Sequence, residues 1–471
     1  MNLDPIVPPL PDNEERRFSG VDPLDGRYFD PAVSQYLSEQ ARVSYQAYVE
    51  AALAQTLAEF RVCDEKYADE IDTAARTVTA AEVFEEEQKT RHDVKALVNV
   101  IKSKISDEAK PYVHMTATSY DIVSTASAVQ YKAAFDKVII PRLKELMGVL
   151  IDLTEKYADT VQIGRTHGQH GVPITFGFAL AEYVSRLGQS IEALEALCEE
   201  LQGKFSGAVG AYNASSLFFD DPRAFEEAIL AKLDLKVAEH STQIVPPESL
   251  ARLLAEPVIA AGAMSNLAHD MRHLQRSELA ELREKFEEGQ TGSSTMAHKR
   301  NPINFENVGG LYREVLAQQL VVQQNLISEH QRDLADSSSA RFYPVLVDCV
   351  AEMAKRLTRT MGKIEIDEEA MNRNLNMSKG AIGAEPLYLI LGKLGHTAGH
   401  EKAKSIAHAA LDADMSFGEA VKKDEEIMNE YWDKMSDDEH NMILEPETYY
   451  IGLAHDKARA IAAKWRQALS Q

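Results

Sequence analysis

Leu180, Val184, Leu187, Ile191, Leu194, Cys198 and Leu201 follow one another at intervals of 4, 3, 4, 3, 4 and 3 residues. An apolar seam with that alternation stays on one side of a helix, so residues 174–203 predict a long helix packed nearly parallel to its neighbours. Residues 247–281 and 304–330 read as helices of similar length. A helix of about 30 residues spans about 45 Å, too far to fold back on one small core. Such helices lie side by side in a bundle, often across subunits.

The remaining chain fits an all-α protein. Its 471 residues exceed one small core and predict two or three domains. Only 24 Gly and 17 Pro interrupt it, which disfavours a turn-rich β architecture. Residues 1–20 are Pro-rich and polar and read as an extended arm. Helical patterning begins near Pro31, breaks into shorter charged pieces over 64–115, and resumes from Asp121 to about Ala158, with Pro141 as the expected kink. Shorter helices return after 371. The division expected is an N-terminal helical domain over 1–117, a central long-helix bundle over 118–367 and a C-terminal helical domain over 368–471.

Charge and composition exclude several functions. A formal net charge of −24 argues against sequence-independent binding to nucleic acid or to an anionic membrane surface. An anionic substrate would have to be met by a local cluster of cations. Cys63, Cys198 and Cys349 are far apart and outside any metal-ligand spacing, which suits buried thiols in a reducing compartment. The first residues lack a basic stretch followed by an apolar core, and no run of 18 uncharged apolar residues occurs, so the cytoplasm is expected.

Two helix-poor segments, 162–175 and 283–303, are rich in Gly, His, Ser and Thr. The second contains Gly292-Ser293-Ser294-Thr295-Met296-Ala297-His298-Lys299-Arg300-Asn301-Pro302. Hydroxyls and successive backbone N–H groups there can surround an anion, and Lys299 adds a compact cation. The segment resembles the signature loop of the fumarase/aspartase superfamily, GSSxMPxKxNP, departing from it at Ala297, where Pro is usual.

Further motifs, in order along the chain, resemble the adenylosuccinate lyase branch of that superfamily. They are Asp25-Gly26-Arg27-Tyr28, Arg91-His92-Asp93-Val94, the stretch HMTATSYDI from His114 to Ile122, Arg165-Thr166-His167-Gly168-Gln169, Thr242-Gln243-Ile244, and RDLADSSSAR from Arg332 to Arg341. The muconate cycloisomerase branch shares the wording of the signature loop but is not expected to carry both the first and the last of these. A helical scaffold that has lost catalysis is a more distant reading, opposed by the intact Ser293, Lys299, Asn301, His167 and Glu306.

The resemblance implies a three-domain fold whose long-helix bundle forms a tetrameric core, with active sites shared between subunits. It implies an anti β-elimination that releases fumarate from succinylated purine nucleotides and gives AMP from adenylosuccinate, without a metal or organic cofactor. Ser293 would be the base, His167 the acid and Glu306 the partner that orients His167. Lys299, Asn301, Thr118, Ser119 and Ser294 would hold carboxylates. Arg27, Tyr28, Arg332, Ser337 and Arg341 would take the phosphate, with Arg91, His92, Asp93, His114 and Gln243 also facing substrate. Gly289 and Gly292 flank the loop, which is expected to close over substrate.

Overall fold

The computed structural model describes residues 21–286, 289, 296 and 299–470; the expected arm over 1–20 lies outside them. The protein is mostly helical, at 68%. It divides into two compact units, one of residues 1–144, 189–262 and 310–355 and the other of 145–188, 263–309 and 356–471. The unit boundaries fall inside long helices rather than at linkers.

In the first unit, Asp30 and Ser38 cap two successive helices, α1 (Pro31–Leu37) and α2 (Glu39–Glu59), each accepting a backbone N–H at the helix start. Helices α3 (Glu65–Ala75), α4 (Ala80–Thr90) and α5 (Asp93–Ser103) follow. Thr79 and Glu82 form a reciprocal capping box at the start of α4. Val43, Ala47, Ala51, Ile71, Leu97 and Ile101 meet in one buried cluster. It gives the N-terminal segment an apolar core of its own.

The helical stretch expected from Asp121 is two helices, α6 (Ser119–Ala134) and α7 (Ile140–Lys156), joined by a π turn at Phe135–Ile139. Pro141 has no N–H for the Lys137 carbonyl, and the wider turn just before it absorbs the lost bond. Further along come α8 (Phe176–Glu199), α9 (Pro222–Lys232), α10 (Glu248–Leu274), α11 (Ile303–Gln324) and α12 (Tyr343–Met361). All seven seam residues from Leu180 to Leu201 are buried, none more than 3% exposed.

The helix-poor segment 162–175 is an antiparallel hairpin, β1 (Val161–Thr166) with β2 (Gln169–Thr175). Its register shifts between Ile163 and Arg165, at Gly164, where a Cβ would sit 2.7 Å from the Val172 carbonyl oxygen. Two further strand pairs are two residues long, β3 (Gln202–Gly203) with β4 (Lys236–Val237), and β5 (Leu282–Arg283) with β6 (Glu365–Ile366). In the second unit Ile163 packs with Leu375 and Ile382. A separate cluster of Leu387, Leu391, Ile406, Phe417, Val421 and Ile443 forms the core of the C-terminal segment. Among the described residues no helix is long and apolar enough to cross a membrane.

Candidate active site

The first unit contains a cavity of about 940 Å³. Its lining includes Arg91, His92, Asp93, Ser119, Gln243, Ser337 and Arg341, so four separate motif segments converge on one space. His92 caps α5: its Nδ1 accepts the Lys95 N–H at 3.3 Å, and Nε2 lies 3.4 Å from Ser119 Oγ. Acceptance at Nδ1 puts the proton of the neutral ring on Nε2, where it can donate toward Ser119 or substrate. Ser119 begins α6, whose N-terminal N–H groups favour a bound anion.

Two cations of this cavity, Arg42 and Arg341, are paired with carboxylates. Arg341 stands 3.5 Å from both Glu39 and Asp93. Arg42 bonds Glu39 through two nitrogens, at 3.0 and 2.6 Å, and reaches Asp93 at 3.7 Å. Burial opposes the Glu39 carboxylate, but Arg42 and then Arg341 outweigh it and hold Glu39 below its ordinary range. At 3.5 Å the Arg341 contacts are weak, and an anion offering paired acceptors would displace them. Arg42 has no place in the motif reading; in sequence it is only an i,i+3 partner of Glu39 on a helix.

Arg332 is nearly buried, stacked 4.0 Å above the Tyr120 ring, hydrogen-bonded to the Tyr120 hydroxyl and paired with Asp336 at 2.8 Å. It does not line the cavity, and neither do Arg27 and Tyr28 on the turn before α1. Thr118 donates its N–H to Asp121 at 2.7 Å. His114 lines a second cavity, of about 420 Å³, which shares His92 and Ser119 with the first.

In the second unit, His167 and Gly168 form the two-residue tip of the hairpin, with φ of 56° and 73°. Positive φ at both positions is what a type I′ turn requires, and it leaves the imidazole exposed at the tip. Arg165, two residues earlier, binds the fully buried Glu281 through both guanidinium ends. Glu281 also accepts from Gln162 at 3.2 Å and Asn374 at 2.8 Å. Burial and then Arg165 hold the nearby His170 below its ordinary value.

Glu284 anchors the far end of the signature segment. Its buried carboxylate accepts the Asn304 and Phe305 N–H groups at 3.0 and 3.1 Å, at the start of α11. Gln275 adds a bond from its amide to the Arg300 carbonyl at 3.2 Å. Lys299 is exposed, Asn301 is half-buried, and the Asn301 carbonyl accepts from Ile303 at 2.9 Å. Ser293 and Ser294 lie outside the described residues. Glu306 is 3.8 Å from Arg272, and no hydrogen bond joins it to His167 among the described residues of one chain. No group of three or more His, Cys, Asp or Glu among the described residues could hold a metal ion.

Two family models match. One described as "Lyase" covers residues 27–317, and one described as "Adenylosuccinate lyase C-terminal" covers 328–449. The chain is 34% identical to an adenylosuccinate lyase of Archaeoglobus fulgidus, over 94% of this chain and 98% of that one. It is 36% identical to one of Pyrococcus abyssi, over 93% and 96%. Among solved structures, a 3-carboxy-cis,cis-muconate lactonizing enzyme from Pseudomonas putida superposes with a TM-score of 0.81 at 24% identity, covering 96% of this chain and all of that one. A fumarate lyase from Mesorhizobium sp. BNC1 gives 0.80 at 22%, covering 93% and 98%. At those identities the structural likeness establishes the fold alone.

Proposed function

This chain belongs to the adenylosuccinate lyase family, and from that membership we propose how its residues divide the elimination of fumarate from adenylosuccinate. The observation that carries the activity is the full-length similarity to adenylosuccinate lyases, together with the separate match of the C-terminal model. The succinylated aminoimidazole carboxamide ribotide, which presents the same succinyl–nitrogen bond, is proposed as a second substrate.

Ser293, as its alkoxide, takes a proton from the carbon beside a succinyl carboxylate, and negative charge spreads into that carboxylate. Lys299 and Asn301 stabilise the charge as it develops. The new C=C bond forms as the C–N bond breaks, and His167 gives its proton to the departing nitrogen, leaving AMP and fumarate. Thr118, Ser119 and Ser294 hold carboxylates. Arg341 and Ser337 take the phosphate at the 940 Å³ cavity, with Arg91, His92, Asp93, His114 and Gln243 facing substrate.

Arg27, Tyr28 and Arg332 do not line that cavity within one chain, and among the described residues no hydrogen bond joins Glu306 to His167. We therefore propose that neighbouring subunits of a homotetramer complete each site. Ile259 on α10, with Leu316 and Leu320 on α11, are exposed apolar side chains that such an assembly would cover. A three-domain division at 117/118 and 367/368 is likewise proposed, and the separate apolar clusters of the two end segments support it. The buried thiols of Cys198 and Cys349 suit the cytoplasm.

The test is a side-by-side absorbance assay with adenylosuccinate, argininosuccinate and carboxymuconate. Adenylosuccinate alone should be consumed, with the spectral change of its purine. Turnover of carboxymuconate instead would move the chain to the cycloisomerase branch.

A further inference from the structure

Glu50 lies in the middle of α2 with a side chain that is 0% exposed, and its Oε1 stands 2.6 Å from Nδ1 of His114. Its other oxygen, Oε2, is buried and has no hydrogen-bond partner among the described residues. A carboxylate sealed from water needs a cation or a proton, and the one hydrogen-bonding group offered to it among the described residues is an imidazole. The distance is that of a charge-assisted bond. His114 itself holds a left-handed backbone conformation, φ 65°.

The other face of His114 borders the 420 Å³ cavity, whose polar lining is His92, Lys95, Lys102, His114 and Ser119. Among the described residues no carboxylate lines that space. With Nδ1 committed to Glu50, Nε2–H is the donor that His114 can present there. We propose that Glu50 is a positioning residue that keeps His114 as an imidazolium, so that His114 acts as a fixed cation for an anionic group of the substrate and not as a proton donor. This rests on the lyase reading above and assigns the role of one group within it.

The charges facing His114 are Glu50 on α2, Asp121 on α6 and Lys102 on α5. Burial opposes a charged His114 most strongly; the Coulombic pull of Glu50, its hydrogen bond and Asp121 outweigh that, and Lys102 works against them. The net direction is upward from the ordinary histidine value. Lys102 is itself pulled down by burial and by Lys95, while Glu50 raises it.

The experiment is an NMR titration of ¹³C-labelled histidines, with the His114 signal identified by its loss in His114→Gln. His114 in the wild-type protein should titrate above the ordinary histidine value of 6.5, and in Glu50→Gln it should fall by a pH unit or more. KM for adenylosuccinate should rise about tenfold in Glu50→Gln, as expected for one lost charge-assisted bond, with kcat changed less than about threefold. Glu50→Asp keeps the charge and should keep His114 protonated, which covers the case of a misfolded Gln variant. Competition by AMP and by fumarate identifies the anion: weaker inhibition by AMP assigns phosphate, weaker inhibition by fumarate a carboxylate, and no change in either overturns the proposal. So does a wild-type His114 that titrates at or below 6.5. An inactive wild-type enzyme would instead refute the lyase reading, and the titration, which needs no substrate, is unaffected by it.

Discussion

Lys204 and Asp121 form an ion pair in which neither side chain reaches solvent. Asp121 also accepts the Thr118 N–H at 2.7 Å and the Gly207 N–H at 3.3 Å. The pair therefore ties the start of α6, where Thr118 and Ser119 stand, to a loop 83 residues further along the chain. Lys204→Met leaves a buried carboxylate without its cation. It should destabilise the protein by about 3–5 kcal/mol, read from urea denaturation midpoints. Lys204→Met combined with Asp121→Asn should recover part of that loss, since no uncompensated charge remains. A single variant as stable as wild type would show that water reaches the pair.

The Arg165–Glu281 pair supports His167 in the same indirect way. Glu281 collects Arg165, Gln162 and Asn374, and so binds the hairpin to the helix at 368–375. Glu281→Gln replaces one acceptor by a donor amid three donors. Destabilisation of about 2–4 kcal/mol should accompany a fall in kcat that exceeds any change in KM if His167 is the proton donor proposed above. Thermal melts and steady-state kinetics on the same preparation test both. An equal fall in affinity with kcat intact would place the hairpin in binding instead.

The long helices were legible because their signal is periodic. The seven seam residues from Leu180 to Leu201 are buried; α10 lies within its expected span, and α11 begins one residue before its own and ends six short of it. The hairpin was hidden because Gly164, His167, Gly168, His170 and Gly171 break the alternation that marks a strand. Partners such as Arg165 and Glu281, 116 residues apart, leave no trace in a local pattern. Motifs brought forward His92, Ser119 and Arg341, which do meet at one cavity, but passed over Arg42 and Glu50, whose importance lies only in what they touch.

Asp348 should make the protein less stable as pH rises. Burial, and then the neighbouring Asp30 carboxylate, push its carboxyl from 3.8 up to about 7, with Arg142 opposing and Glu352 and Asp22 adding to the rise. Its Oδ1 has no hydrogen-bond partner among the described residues. The folded state thus holds a proton that the unfolded chain gives up near pH 4. Stability falls between about pH 4 and 7 and is flat in this respect above it. Asp348→Asn removes the penalty, so it should match wild type near pH 4 and exceed it above pH 7, by at most about 4 kcal/mol. Denaturation midpoints at pH 4.5, 6 and 8 decide it; a constant difference across that range would mean Asp348 does not titrate there.

Shared sites make a prediction that no single-chain property can imitate. His167→Ala should lower kcat by about 10²–10⁴ if the imidazole delivers the proton, and Ser293→Ala should be similarly impaired if its hydroxyl is the base. When the two inactive proteins are mixed and allowed to exchange subunits, a site that draws His167 from one chain and Ser293 from another is intact wherever both donors carry the native residue. With random exchange at equal amounts about a quarter of the sites meet that condition, so up to about a quarter of wild-type activity should return. Activity should appear at the rate of subunit exchange, followed by native mass spectrometry. Exchange without recovery would mean that each chain supplies both groups to its own site, and the assignment of Arg27, Tyr28 and Glu306 to a neighbour's site would lose its basis.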